Sequence, residues 1–229
     1  MTSKELQRYM ASLIAMLPTF TLMKDMLLAP IREGILRGVL FESSTSLKTH
    51  FYINVFSFPL CYPESHVYLN FGFRLRNQNG EIWDATSPNT WRDFERAIHA
   101  QVIPYLDRLS SAAEFAKVAE KYPQGNPQTL KATAFAFARA EQWKEAMGAL
   151  DALLEQLDCA VSWQHEIANN SRILRDLIAK NPDAARRQLL AWEAESIVNL
   201  GLQHVDLQRY DATVRMRKLC SPSPRRKSS

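Results

Sequence analysis

The spacing of the hydrophobic residues changes once along this 229-residue chain, and that change limits the fold more than any motif does. Residues 51–60 and 66–76 are rich in aromatic and β-branched residues and alternate with period two. That is the pattern of strands with two unlike faces. After Pro88 the apolar residues recur at three and four, the spacing of amphipathic helices. A chain with strands confined to its first part and helices filling its second belongs to the α+β class.

The two strand runs flank Cys61-Tyr-Pro-Glu-Ser65, a turn suited to a hairpin. Antiparallel pairing that sets Leu60 near His66 and Tyr52 near Arg74 sorts the side chains. One face carries Phe51, Ile53, Val55, Val67, Leu69, Phe71, Phe73 and Leu75 and reads as core. The other mixes aromatic and polar groups: Tyr52, Asn54, Phe56, His66, Tyr68, Asn70 and Arg74, with Phe58.

Around this hairpin the sequence predicts a helix over residues 3–17, ended by Pro18, and a second short helix over 20–28. It predicts a strand over 35–44 and a short one over 81–84. A helix from Asn89 or Thr90 to about Leu109 should kink or divide at Pro104, which cannot donate a backbone hydrogen bond. Ser110 or Ser111 can cap the next helix, ending near Lys121. Further helices are expected at 127–140, 142–157, 162–180 and 183–209. The expected fold is therefore a small antiparallel sheet of three to four strands packed by helices, followed by an all-helical C-terminal bundle. The domain reading is an α+β unit over 1–122, a helical bundle over 127–210 and a basic, disordered tail over 211–229, with the Pro/Gly-rich segment 122–127 as the boundary.

The formal charge of +4 is a property of that tail. Residues 215–229 carry six lysines and arginines and no acid, so the remainder has a net charge of −2. Neither a basic nucleic-acid surface on the folded part nor a nucleic-acid partner is expected. The tail has no aromatic residue for base stacking and reads as a solubilising end. The three cysteines, Cys61, Cys159 and Cys220, are widely spaced and form no C-x-x-C, as in a reducing cytoplasm. The apolar stretch 10–23 contains Pro18, follows Glu5 and is too short to span a bilayer, so neither a signal peptide nor a membrane anchor is expected.

No catalytic or metal-binding signature stands out. His50, His66, His99, His165 and His204 lie on different predicted elements, and no H-x-x-x-H or H-E-x-x-H occurs. There is no G-x-S-x-G elbow, Walker loop or G-x-G-x-x-G, and only seven glycines. No cofactor and no metal is expected. His50 and His66 are the notable histidines, because both fall near ends of the hairpin. Together with the mixed face they bring Tyr and Arg, the residue types that carry binding energy in protein interfaces.

Two resemblances add to this reading. Residues 127–158 resemble a single tetratricopeptide-type helical hairpin, with Leu130, Ala134, Phe137, Trp143, Ala146 and Leu150 at the packing positions of that motif. Thr133, Leu153 and Asp158 depart from it. Residues 1–120, with an opening helix, a strand meander and a helix ending in Ile103-Pro-Tyr-Leu-Asp-Arg-Leu109, resemble a bacterial family of small α+β domains of unknown function, some of them similar to immunity proteins. That resemblance implies a binding role without catalysis.

The expectation is a non-enzymatic, cytoplasmic protein that binds another protein, as an immunity or accessory protein of a bacterial toxin or defence system. Its partner-binding residues would be Tyr52, Asn54, Phe56, His66, Tyr68, Asn70 and Arg74. One alternative is an enzyme of unfamiliar type with its site on the sheet face near His66, using Cys61, Tyr68 or Arg74. A further alternative is a nucleic-acid-associated regulator acting through the basic tail.

Overall fold

The chain folds as an α+β protein built on one antiparallel meander. The computed structural model describes residues 10, 13–15, 17–123 and 125–205. Among them the strands are β1 (Thr21–Met23), β2 (Met26–Arg32), β3 (Ile35–Ser43), β4 (His50–Pro59), β5 (Phe71–Arg74) and β6 (Trp83–Asp84). Their order is β1-β2-β3-β4-β5, and β6 pairs with the start of β4 on the same edge as β5.

The sheet is thus larger than the three to four strands expected. Residues 20–28 form no helix but a tight hairpin, with Met23 opposite Met26 and Lys24-Asp25 between them. Lys24 adopts φ of 53°, the left-handed conformation that such two-residue turns need. Pairing with β3 then buries Leu27 and Leu28 completely on opposite faces of the sheet. Two-sided burial favours a strand over a helix, whatever the local propensity.

Residues 66–70 correct the hairpin expectation. They are irregular, and the second arm is only Phe71–Arg74. The register places Asn54 opposite Arg74 and Ser57 opposite Phe71, two residues away from the Tyr52–Arg74 pairing. An even shift preserves the faces, so Val55 and Phe73 still share one side. Val67 and Leu69 leave it, and Leu69 is 42% exposed. Gly72 is required by the close approach of β4, because a Cβ there would collide with the Val55 carbonyl oxygen.

The helices are α1 (Thr90–Ala97), a π-helical turn (Ile98–Val102), α2 (Ile103–Arg108), α3 (Ala112–Ala119), α4 (Pro127–Arg139), α5 (Trp143–Gln156), α6 (Ser162–Lys180) and α7 (Pro182–Asn199). The division expected from Pro104 occurs, as the π-helical turn just before it. Ser111 caps α3 by accepting from the Glu114 N–H at 3.2 Å. Helices α3 to α7 each pack on the next. Residues 206–229, including the basic tail, and most of the predicted 3–17 helix lie outside the described residues.

Three apolar clusters hold these parts together. One face of the sheet carries Val39, Phe41, Ile53, Val55 and Trp83 under Phe94, Ile98 and Leu106. A second cluster joins Ile35, Cys61, Tyr62 and Phe71 to the helical residues Phe115, Phe135, Leu150 and Trp192. The third covers the inner end of the opposite face, where Leu36, Phe56 and Phe58 meet Leu202 and Val205. The second cluster therefore joins the sheet to the helices across residues 122–127. Gly34, in the β2–β3 turn at φ of 73°, sits where a Cβ would come within 2.7 Å of Glu193 Oε2 on α7.

Candidate functional site

Strand register decides which residues stand side by side on the mixed face. His50 pairs with Asp84, Tyr52 with Glu42, Asn54 with Arg74 and Leu40, and Phe56 with Gly38 and Gly72. Paired residues point to the same side of a sheet, and so do residues two apart. The face therefore runs as one line from His50–Asp84 through Tyr52–Glu42 and Asn54–Arg74 to Phe56. At Phe56 it closes, because that ring is 0% exposed beneath the third cluster. Phe56 belongs to the core and offers no surface to a partner.

The open part is a preorganised strip. The Arg74 guanidinium lies 4.5 Å from the centre of the Tyr52 ring, within cation–π range. Arg74 donates from Nε to Asn54 Oδ1 at 3.3 Å and lies 3.9 Å from Glu42. Asn54 in turn donates from Nδ2 to Glu42 Oε2 at 3.3 Å. The side chains of Arg74 and Glu42 are 45% and 53% exposed, so their end of the network faces water, while Asn54 beside them is buried.

His66, Tyr68 and Asn70 belong elsewhere. They sit on the irregular β4–β5 connection, which is tied to the helices at its base. Ser196 on α7 donates its hydroxyl to the Tyr62 carbonyl at 2.5 Å and accepts from the Glu64 N–H at 3.0 Å. Lys131 on α4 donates to Glu64, and the two side chains are only 6% and 7% exposed. The Lys131 ammonium also lies 4.3 Å from the Tyr62 ring centre and 5.4 Å from that of Tyr68. Burial pushes the Glu64 carboxyl up and the Lys131 ammonium down, each partly opposed by the other's charge. Tyr62 is pushed up by burial, against a hydrogen bond with Asn170 on α6. The exposed His66 ring meets Tyr68 edge to face, with centres 5.1 Å apart, and bonds to Ser65 Oγ through Nδ1 at 2.8 Å.

The chemistry open to this second cluster is narrow. Its cavity, lined by Tyr62, Glu64, Tyr68 and Lys131 among others, is about 10 Å³, room for no more than a water. Cys61 is fully buried, and its thiol is pushed up to about 12 by burial and by the Glu193 charge. A neutral, sealed thiol is a packing group and not a nucleophile. Glu64, Lys131 and Ser196 were not singled out by the sequence. Their only signal is a set of polar residues on otherwise apolar faces.

The larger cavity adjoins the other end of the strip. The β3–β4, β5–β6 and β6–α1 connections meet there beside His50 and Asp84 and enclose about 520 Å³. Asn77 stiffens one wall, donating to the Ile82 carbonyl at 2.7 Å and accepting from the Asn79 N–H at 2.7 Å. Asp84 accepts from the Thr86 N–H at 3.0 Å and from its hydroxyl at 2.8 Å. These bonds, the backbone one first, with the nearby His50, hold its carboxyl below the ordinary carboxylate range. Of the two notable histidines, then, His50 stands on the strip and His66 does not.

Among the described residues, no group of three or more His, Cys, Asp or Glu side chains is placed to hold a metal ion, and no helix is long and apolar enough to cross a membrane. Comparison of the chain with protein families, with curated proteins and with solved structures finds no match in any of the three.

Proposed function

We propose that this chain is a non-enzymatic protein-binding protein whose partner docks on the strip His50–Tyr52–Asn54–Arg74. The observation that carries this reading is the Tyr52–Arg74–Glu42–Asn54 network. It is an aromatic–arginine pair held in place by a carboxylate and by the buried Asn54 amide, with the Arg74 and Glu42 side chains about half exposed. Tyr and Arg are enriched among interface hot spots, and preorganisation lowers the ordering cost of binding. His66, Leu69 and Asn70 are exposed on a separate loop whose base is tied to the helices, a common place for a secondary contact.

The narrower form of the proposal is a cytoplasmic immunity or accessory protein of a bacterial toxin or defence system. It is supported by the resemblance of residues 1–120 and by free cysteines at 61 and 159. The enzyme alternative near His66 has less support, since the space there is about 10 Å³ and Cys61 is sealed.

The test is photo-crosslinking in the cells that make the protein, with a photoreactive amino acid at position 52. The expected outcome is one discrete protein adduct that Arg74→Ala weakens. Adducts that are absent, or unchanged by Arg74→Ala, overturn the reading.

A further inference from the structure

The strip ends in a cleft of about 520 Å³, within the range of natural ligand pockets, roughly 300–1,000 Å³. Its walls come from three connections and the first turn of α1, so the polypeptide frames it on several sides. What it would hold follows from its charge and its rim.

The charged lining is one-sided. Asp84 and Asp93 both face the space, and neither lysine nor arginine lines it. Asp93 has a partner in Arg96 at 3.4 Å. Asp84 makes no ion pair with a lysine or arginine among the described residues; its hydrogen bonds are to Thr86 and Thr49, with His50 beside it. Lys48 and Arg92 are chain neighbours of lining residues but do not line the cleft. An anionic ligand would meet two carboxylates and no lysine or arginine in the lining. A cation would meet a carboxylate that hydrogen bonds hold in its ionised form and that no lysine or arginine neutralises.

The rim is apolar. Leu47 and Ile82 are 46% and 43% exposed there, large aliphatic side chains with one flank in water. The aliphatic stem of a lysine or arginine covers such a surface while its charged end reaches a polar floor. The Asn77 bonds that fix the wall next to Ile82 make the site ready before binding. One effect opposes a cation: the N-terminus of α1 opens at Thr90 with a partial positive charge. Asp93 stands in that first turn and offsets it.

We propose that the cleft between Asp84, Leu47 and Ile82 receives a lysine or arginine side chain of the bound partner. This rests on the protein-binding reading of the strip and names the chemistry of the partner at its end. His50 and Asp84 are shared by the two, so a partner lying along Tyr52 would reach the cleft with a neighbouring residue.

The experiment uses the full chain labelled with nitrogen-15 and four blocked tripeptides: acetyl-Ala-X-Ala-amide with X as lysine, arginine, norleucine or glutamate. Titration to about 20 mM detects weak millimolar sites. The lysine or arginine peptide is expected to shift the amide signals of Asn79, Asp84 and Thr90 saturably, and the norleucine and glutamate peptides are not. Asp84→Asn should weaken the cationic peptides about fivefold. Should Asp84→Asn disturb the Thr86 turn, Ile82→Ser replaces it, with a weakening expected in the same peptides. Equal shifts from norleucine, or no saturable shift from any peptide, overturn the proposal. The position-52 crosslink separates the two failures. An adduct without cation binding leaves the strip and removes the cleft, and cation binding without an adduct does the reverse.

Discussion

The molecule uses one side-chain trio twice, and the two copies differ in their exposure to water. At the base of the β4–β5 connection a cation, Lys131, lies 4.3 Å from a tyrosine ring, Tyr62, beside a carboxylate, Glu64. On the open strip a cation, Arg74, lies 4.5 Å from a tyrosine ring, Tyr52, beside a carboxylate, Glu42. The first trio joins two parts of the fold and is sealed. The second joins neighbouring strands and faces solvent. In a poorly solvated place such a trio fixes structure, because losing one charge strands the other. In water it contributes little to folding, and its groups remain available to a partner.

The largest expected effect breaks this comparison at its buried end. Lys131→Ala should cost about 3–5 kcal/mol, since it leaves Glu64 buried without its partner. Urea unfolding measures it. Replacing both members, Glu64→Leu with Lys131→Met, should bring stability back to within about 1 kcal/mol of the native chain or above it. A double replacement as damaging as the single one would mean that the pair itself stabilises the fold.

The second effect belongs to the same buried region. Cys61 has its pKa raised from 9.0 to about 12 in the folded chain. Below pH 9.0 the thiol is protonated in both folded and unfolded states, and its contribution is fully present. Above that the unfolded chain releases the proton while the folded chain retains it. Stability is therefore lost as pH rises from 9.0 to about 12, by up to ~1.4 kcal/mol per pH unit from this one group. The slope should fall in Cys61→Ala when both chains are unfolded in urea across that window. An unchanged slope assigns the alkaline loss to other groups.

A smaller effect is expected at Gly34, where the β2–β3 turn meets α7. A Cβ there faces both a left-handed backbone and the Glu193 carboxylate, so Gly34→Ala should cost about 1–3 kcal/mol. The smallest effect sharpens the open end of the comparison. Arg74→Ala should change stability by less than about 1 kcal/mol, because its ion pair is half exposed. A loss equal to that of Lys131→Ala would show that the strip is structural as well.

The legible and illegible parts of this fold divide along physical lines. Local signals were readable: Pro104 at the break in the helix, Ser111 as a cap, and the break between the helices expected at 162–180 and 183–209, where Asn181-Pro182 separates α6 from α7. The strand β4 was readable from its alternation. Residues 20–28 were misread as a helix because Leu22, Met23, Met26 and Leu27 suit either state, and only pairing with β3 decides between them. The candidate site was half readable. Tyr52, Asn54 and Arg74 do stand together, since an even register shift keeps the faces. His66, Tyr68 and Asn70 were grouped with them on the assumption that the strand began at residue 66, and the chain there is drawn towards Lys131 and Ser196 instead. Contacts between residues 67 and 132 apart in sequence leave no periodic trace to read. The fate of Phe56 was hidden for the same reason, since its cover comes from Leu202 and Val205.

The claim that the exposed trio is the binding one can be tested in a single comparison of crosslinking yields. A photoreactive residue is placed at position 52 in one chain and at position 66 in another, and each is tested with and without Arg74→Ala. The account predicts a discrete protein adduct from position 52 that falls at least about tenfold with Arg74→Ala, the loss of a hot-spot contact. It predicts a weaker adduct, or none, from position 66. A strong adduct from position 66 that ignores Arg74→Ala, with nothing from position 52, would contradict it.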